Sequence, residues 1–402
     1  MHEHLTILGI SLIILIYGFF SALLSQKNIS GPMVFTAVGL LLSPLGFGKE
    51  LISINAQSIQ IMAEITLIIV LFSDASTLNL TQLKNNWRLP ARLLFVALPI
   101  TIIFATIAGK LFFPTESIYY ILLLALILAP TDAALGKVVV SDKRVPSVVR
   151  NTINVESGLN DGIVFPILLT LLAMISSDAQ QAQSGWMIYI AKQIFIGGVA
   201  GAFVGWAGAL LMQKSIQKKW MQHQYTNLAP IALAFFSYYF AEYFSGNGYI
   251  SAFFSGLLLG NTSNQLKAHV EEFAESEGEF LIMVSFLIFG LVFIPITFSY
   301  WNFKILLYAI LSLTIFRMLP VVLGFTNMNV DIITRLFYGW FGPRGIASIL
   351  YILVTIHQLG GDISAHMEIF ATASLTILLS IILHGLSAQP LAIMYSKYIK
   401  DR

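Results

Sequence analysis

A short polar run, ESGLND at residues 156–161, interrupts an apolar segment of membrane-spanning length. It places two carboxylates and an amide at a depth where each ion costs about 2.5–3.5 kcal/mol to insert. Packing alone does not offset such a cost, and ionisable residues at this depth usually mark a pathway for ions or protons. The run therefore predicts an ion-handling site inside the membrane.

Two further segments carry a proline beside a charge in the middle of an apolar stretch: APTD at 129–132 and FGPRG at 341–345. Proline has no amide hydrogen, so Pro130 leaves the carbonyl of Leu126 without its helical partner. The alternative is a pair of ordinary proline kinks, which membrane helices tolerate. The matching positions and adjacent charges instead predict two broken helices, with breaks at Pro130 and at Gly342, Pro343 and Gly345.

The deep charges are three acids and two bases: Asp132, Glu156, Asp161, Arg317 and Arg344. Arginine stays protonated, so two arginines can hold two carboxylates ionised. The third carboxylate can then be neutralised by a proton or by a metal cation, but not by both at once. We assign this role to Asp161, which lies about 140° around the helix from Glu156. Such competition predicts one-for-one exchange of H⁺ against a monovalent cation.

Uncharged oxygen atoms accompany these acids. Thr131 and Ser157 contribute hydroxyl groups, and Asn160 contributes a neutral amide. Hard cations prefer oxygen ligands, so Asp161, Thr131 and Ser157 are the expected ligands of a monovalent cation. The chain has no cysteine and no deep histidine cluster. We therefore expect neither a transition metal nor a cofactor.

The composition identifies a membrane protein. Of 402 residues, 57% are hydrophobic and 10% are charged, against about 25% charged in a soluble protein, and the mean hydropathy is +0.81. A net charge of +2 gives no indication of nucleic-acid binding. Hydropathy predicts an all-α polytopic protein with about thirteen transmembrane helices. The predicted spans are 5–24, 32–47, 58–76, 91–113, 117–140, 153–175, 186–213, 226–243, 248–260, 279–297, 303–324, 335–357 and 366–394.

Charged loops set the orientation. Lysines and arginines follow every second span, whereas the loops 176–185 and 360–365 carry almost none. The positive-inside rule then places the N-terminus outside and the C-terminus in the cytoplasm. Thirteen spans with one central connector leave two groups of six that are inverted relative to each other, and the broken spans five and twelve occupy corresponding positions. Inverted repeats with paired broken helices are typical of secondary transporters.

The sequence resembles a known family, the monovalent cation/proton antiporters of the NhaP/NHE branch. The likeness covers nearly the whole chain. The segments that carry it are PTD (130–132), ESGLND (156–161), Arg317 and GPRG (342–345), with support from LFSDA (71–75) and GNGYISA (246–252).

The resemblance implies roles for the site residues. Asp161 would carry the ion and the proton, with Thr131 and Ser157 helping to ligate the cation. Electrogenic relatives have a second aspartate where this chain has Asn160. The resemblance therefore implies electroneutral exchange of Na⁺ or Li⁺ for H⁺, with K⁺ as an alternative.

The remaining charges would be structural. By the same resemblance, Glu156 pairs with Arg317, and Asp132 stabilises the helix crossing with Arg344. The family also implies a homodimer in the plasma membrane. Residues 1–90 and 186–300 would form a scaffold and dimerisation domain, 91–175 and 303–394 the ion-translocating core, and 395–402 a short cytoplasmic tail.

Other functions remain open from the residues alone. A cation channel needs a continuous polar pore, whereas these polar residues converge on one mid-membrane point. An organic-anion transporter would favour a cationic or neutral site. An intramembrane hydrolase could use Asp132 and Asp161 as an acid/base pair, although each deep acid already has an arginine or a cation as a possible partner.

Two histidines and a group of glycines have competing interpretations. His357 and His384 lie near predicted helix ends and titrate in the range of a pH sensor, but interfacial histidines without that role are the more common case. The glycines of span seven indicate close helix contact, within the protein or at a dimer face. Their positions are 197, 198, 201 and 205.

Overall fold

The computed structural model describes residues 2–43, 45, 56–81, 87–175, 186–273, 278–360 and 363–400. The predicted loop 176–185 and part of the loop 360–365 lie outside these residues. All regular secondary structure in the described residues is helical, which confirms the predicted all-α class. By length and composition, seven helical segments of the described residues can cross a membrane, one of them the segment 303–324, which is interrupted at Thr314. The number of crossings and the inverted repeats stay predictions.

Seventeen helices follow one another in the described residues. They are α1 (His2–Gln26), α2 (Gly31–Leu42), α3 (Ala56–Thr77), α4 (Arg88–Phe112), α5 (Ile118–Ile127), α6 (Ala133–Ser141), α7 (Ser147–Ile175), α8 (Trp186–Gln217), α9 (His223–Tyr243), α10 (Gly248–Thr262), α11 (Asn264–Phe273), α12 (Glu279–Phe298), α13 (Phe303–Leu313), α14 (Ile315–Gly324), α15 (Ile332–Trp340), α16 (Ile346–Gln358) and α17 (Met367–Lys400).

Every predicted span coincides with a helical segment, and the two spans that were predicted to break do so. Span five divides into α5 and α6, and span twelve into α15 and α16. Span eleven was expected to be continuous, but it is interrupted at Thr314, whose backbone angles are φ −109° and ψ −88°. No proline or glycine stands at that position, so the local sequence does not mark this third break.

Several helices contain a proline without breaking, and two of them do so with the help of a π-helical turn. A π-helical turn at Leu93–Ala97 in α4 ends just before Leu98-Pro99, and one at Phe289–Phe293 in α12 ends just before Ile294-Pro295. A proline ring clashes with the carbonyl four residues earlier. The wider π turn relieves that clash and lets the helix continue.

Contacts divide the chain into two compact units. The first comprises residues 1–61, 88–157 and 282–402. Within it, α2 and α12 approach so closely that a Cβ on Gly39 would overlap the carbonyl of Leu287, and one on Gly290 would overlap that of Thr36. Small residues at such crossings allow backbones to meet in membrane proteins. This unit contains both broken helices.

The second unit comprises residues 62–87 and 158–281. Here the glycine stripe of α8 packs on α10, because a Cβ at 201 or 205 would overlap the carbonyl of Ser251 or Ser255. Gly197 meets the main chain of Asn247 in the same way, and Gly198 faces the ring of Phe254. Of the two interpretations of this stripe, packing within the protein is therefore the one observed. The predicted scaffold and core domains follow different boundaries and stay a prediction.

Candidate functional site

The first break lies between α5 and α6. The sequence predicted that Pro130 would leave the carbonyl of Leu126 without a partner, and this is wrong: the Leu126 oxygen accepts a hydrogen bond from the Ala129 amide at 3.3 Å. The helix ends early, at Ile127, and a tight turn takes up that carbonyl. The carbonyls left over belong to the next two residues, Ile127 and Leu128.

Both carbonyls are satisfied by the other broken helix. The hydroxyl of Ser348 in α16 donates to the Ile127 oxygen at 2.7 Å, and Nε of Arg344 donates to the Leu128 oxygen at 2.8 Å. The C-terminal end of a helix carries partial negative charge, so a guanidinium is favourable there. Arg344 thus serves as a capping cation for α5.

Asp132 makes the reciprocal contact with the second break. Its amide donates to the carbonyl of Pro343 at 2.8 Å, and its Oδ2 accepts from the amide of Ile346 at 2.7 Å. Ile346 is the first residue of α16, so the carboxylate sits at the positive end of that helix dipole. A Cβ on Gly345 would overlap the same oxygen, which explains why this position has no side chain.

The predicted partners Asp132 and Arg344 therefore meet at the crossing through the main chain. Each caps a helix end that the opposite break leaves open. Arg344 is 1% exposed, and besides Leu128 it donates from Nη1 to the carbonyl of Gly342. Its own amide donates to Oγ of Ser380 in α17 at 2.7 Å.

Glu156 and Arg317 form a buried ion pair. Nη2 of Arg317 in α14 lies 2.5 Å from Oε1 of Glu156 in α7, and the two side chains are 1% and 2% exposed. Among the described residues, Oε2 of Glu156 and both Nε and Nη1 of Arg317 have no hydrogen-bond partner. The guanidinium lies against Gly342, where a Cβ would come within 2.6 Å of Nε. Gly342 is thus needed for the close approach of Arg317 to the second break.

Ser157 holds the first break from the other side. Its hydroxyl donates to the carbonyl of Thr131 at 2.7 Å, and both residues are buried. With its hydrogen used in this bond, Oγ of Ser157 presents its lone pairs to any further partner. This geometry suits a hydroxyl that ligates a cation.

Asn160 and Asp161 lie on the part of α7 that belongs to the second unit, where they are 1% and 4% exposed. Their neighbours on the helix are tightly packed in that unit: a Cβ on Gly162 would come within 2.5 Å of the Phe253 ring, and the rings of Phe165 and Tyr249 are 5.2 Å apart. Asp161 follows Ser157 by four residues, so the two share a face of α7.

The histidine predictions need a correction. His384 was expected near a helix end, but it lies well inside α17 and is 2% exposed. It lies between Ser380 and Trp340 beside the second break, a location that sequence alone did not indicate. His357 is at the end of α16, where its Nε2 is 3.2 Å from the side-chain amide of Gln60.

The fold and this arrangement define a polytopic helical membrane protein whose two broken helices cross beside a buried ionic cluster. Known proteins give the family. The sequence profile described as "Sodium/hydrogen exchanger, transmembrane" matches residues 9–394. The chain belongs to this family, which confirms the resemblance seen in the sequence.

Individual relatives have low sequence identity to this chain but match it over most of its length. The chain is 25% identical over 397 residues to the K(+)/H(+) antiporter NhaP of Alkalimonas amylolytica, covering 97% of this chain and 66% of that protein. It is 25% identical over 390 residues to the Na(+)/H(+) antiporter NhaP of Pseudomonas aeruginosa, covering 89% and 88%. A probable Na(+)/H(+) antiporter of Schizosaccharomyces pombe is 26% identical over 319 residues, with 41% of its length covered. The chain thus spans less than two thirds of the first and third of these relatives.

The fold is similar to that of a solved antiporter. The structure of the sodium proton antiporter MjNhaP1 from Methanocaldococcus jannaschii at pH 8 superposes with a TM-score of 0.78 at 20% identity, covering 98% of this chain and 99% of that one. At this identity the likeness concerns the fold.

Proposed function

We propose that the protein is a secondary transporter that exchanges a monovalent cation, Na⁺ or Li⁺, for H⁺ across the membrane. Family membership supports this proposal, as do the names of relatives that are antiporters for Na⁺ or K⁺. An exchanger of this kind would contribute to pH homeostasis. It would act without a cofactor, with the cation and the proton as substrates.

The observation that carries the proposal is the set of buried charges. Asp132, Glu156, Asp161, Arg317 and Arg344 are each at most 4% exposed. Three carboxylates against two guanidinium groups leave one formal negative charge when all are ionised. A buried charge of this kind is costly, and one proton or one monovalent cation neutralises it. Strict alternation between the two gives 1:1 electroneutral exchange.

Asp161 is the proposed carrier. Glu156 is engaged with Arg317 at 2.5 Å, and the Asp132 carboxylate caps α16. Both of these acids therefore have a structural role, as the partner of a guanidinium or as the cap of a helix end. Thr131 and Ser157 are the proposed hydroxyl ligands of the cation, and the neutral side chain of Asn160 adds no second titrating charge.

The wider arrangement is part of the same proposal. The core domain (91–175 and 303–394) would move against the scaffold (1–90 and 186–300) in a homodimer. The N-terminus would lie outside and the C-terminus in the cytoplasm of the plasma membrane. K⁺/H⁺ exchange is the second candidate, because the Alkalimonas relative carries that name. An intramembrane aspartyl enzyme using Asp132 and Asp161 has less support, since Asp132 is held at a helix end.

The test is internal pH in proteoliposomes after addition of Na⁺, Li⁺ or K⁺ outside, with the voltage clamped at zero and then at a negative value. We expect proton movement that depends on the cation and not on voltage. Asp161→Asn should abolish it while the protein stays folded. Asp142→Asn, in the loop after α6, is the matched control and should retain exchange.

Four results would contradict parts of the proposal. Absence of cation-coupled proton movement would overturn the antiporter function. Normal exchange by Asp161→Asn would overturn the single-carboxylate mechanism. A rate that follows voltage would overturn the 1:1 stoichiometry, and a response to K⁺ alone would select the second candidate.

A further inference from the structure

A polar face of α17 runs alongside the second break. Ser380, His384 and Ser387 follow at intervals of four and three residues, so they share one face of the helix. Ser380 and His384 are almost fully buried. None of these three residues has a part in the charge set described above. All three, however, contact α15 or the break that follows it.

At one end of the break, Ser380 binds the main chain. Its Oγ accepts a hydrogen bond from the amide of Arg344 at 2.7 Å and lies 3.1 Å from Nδ1 of His384. Arg344 lies two residues before the start of α16, so its amide has no partner within that helix. Ser380 therefore satisfies a main-chain group that the break exposes in the protein interior.

At the other end of the break, His384 holds the last residue of α15. Its imidazole lies against the indole ring of Trp340. The two rings are 4.9 Å apart at 34°, and Nε1 of Trp340 donates to Oγ of Ser387 at 2.9 Å.

Nδ1 of His384 faces two oxygen atoms of Ser380, at 3.1 Å from Oγ and 3.1 Å from the main-chain carbonyl. With the hydrogen on Nε2, Nδ1 accepts from the Ser380 hydroxyl, and with the hydrogen on Nδ1, the ring donates to the Ser380 carbonyl. In either tautomer the ring is bonded to the residue that accepts the Arg344 amide.

We propose that Ser380 and His384 form a clamp that joins the two ends of the second break, Trp340 and Arg344, and thereby positions the groups of the break that hold the first one. Arg344 caps α5 and the Ile346 amide binds Asp132. Greater mobility of residues 341–346 would therefore also displace the segment 128–132. The clamp rests on the proposed function for its effect on transport. His384 acts in it as a neutral positioning residue and not as a pH sensor.

The experiment combines amide hydrogen exchange with transport. His384→Phe keeps an aromatic ring next to Trp340 but removes the contacts of Nδ1 with Ser380, and His384→Gln restores one donor and one acceptor. Ser380→Ala removes the central hydroxyl. The control is Thr376→Val on the same helix, because the Thr376 hydroxyl is equally buried but bonds only to Thr372 of its own helix, at 2.7 Å.

We expect His384→Phe and Ser380→Ala to speed hydrogen exchange of the peptide covering 341–346 about tenfold or more, and to raise the cation KM by about 10-fold to 100-fold, as loss of an outer-shell partner does at metal sites. The double variant should be no worse than either single one, since both break the same chain of bonds. His384→Gln should recover most of the loss. The pH profile should keep its shape.

Protection of 341–346 that is unchanged in His384→Phe would overturn the clamp. So would a loss of transport equal to that of Thr376→Val, because the effect would then be general destabilisation. Faster exchange at 341–346 with a normal cation KM would overturn the positioning role. If the unaltered protein moves no protons with any cation, the proposed function fails, while the hydrogen-exchange result still decides the clamp.

Discussion

The two broken helices differ in what their breaks present to the rest of the protein. The first break presents acceptors: the carbonyls of Ile127, Leu128 and Thr131 and the carboxylate of Asp132. The second presents mainly donors, the amides of Arg344 and Ile346 and the guanidinium of Arg344. The exception is the Pro343 carbonyl, which accepts from the Asp132 amide. Each break thus supplies hydrogen-bond partners for main-chain groups of the other. The helix ends at the crossing also meet side chains of opposite charge, which stabilises the crossing.

This difference also indicates which break can receive a cation. An acceptor-rich segment attracts positive charge, whereas a donor-rich segment repels it. Of the predicted cation ligands, Thr131 is on the first break and Ser157 donates to it. The second break then serves as scaffold, which makes its own support by α17 and Arg317 important. The comparison can be tested by changes that affect one break and spare the other.

The largest effect is expected from Arg317→Ala, which removes the cation next to Gly342. Glu156 would remain as an uncompensated buried carboxylate, at a cost of about 3–5 kcal/mol in the free energy of unfolding. Thermal unfolding in detergent measures the loss. The double variant Glu156→Leu with Arg317→Met should recover most of the stability, since apolar replacement of a buried pair is often neutral. Full stability of Arg317→Ala would show that the pair contributes nothing.

A smaller effect is expected from one methyl group placed on either broken helix. Gly345→Ala drives a Cβ into the Asp132 carboxylate and should cost about 1–3 kcal/mol, with a loss of cation-dependent exchange. Gly136→Ala on α6 places its methyl in open space and should stabilise by about 0.5–1 kcal/mol. Thermal unfolding of the two variants in detergent measures both shifts. Equal shifts for both variants would mean that Asp132 does not occupy the position beside Gly345.

The smallest effect concerns the loop that follows the first broken helix, outside the membrane-spanning segments. The side chain of Arg144 hydrogen-bonds to Asp142 and holds the pKa of that carboxyl below its usual range. A carboxyl with a lowered pKa in the folded state adds stability above its unfolded pKa of about 3.9, and this stability is lost as the pH falls through the lower folded value. Arg144→Gln should therefore slightly reduce stability at pH 7.

The pH dependence identifies this contribution. The difference between Arg144→Gln and the unaltered protein should shrink as unfolding is measured at pH values falling from 6 towards 3. Cation-dependent exchange at pH 7 should be unchanged, because the loop contributes no group to the buried cluster. A difference that grows towards acid would contradict the assigned direction.

Much of this architecture could be predicted from the sequence. Pro130 and Pro343 predict their breaks because a missing amide hydrogen is a local chemical fact. The five deep charges are visible because an ion in an apolar stretch stands out against its neighbours. The family follows from short motifs around those same residues. No proline, glycine or charge in the sequence indicates the break at Thr314. The sequence also predicted His384 near a helix end, whereas it lies inside α17.

The sequence by itself determined which helices form, where prolines interrupt two of them and how many charges lie deep in the protein, since these depend on residue type and on neighbours in the chain. Only the tertiary structure decided which groups satisfy the broken ends. The Leu128 carbonyl meets Arg344, 216 positions away, and Asp132 meets Ile346, 214 positions away. A main-chain group takes the donor or acceptor that packing brings within about 3 Å, and that choice is made by the fold as a whole.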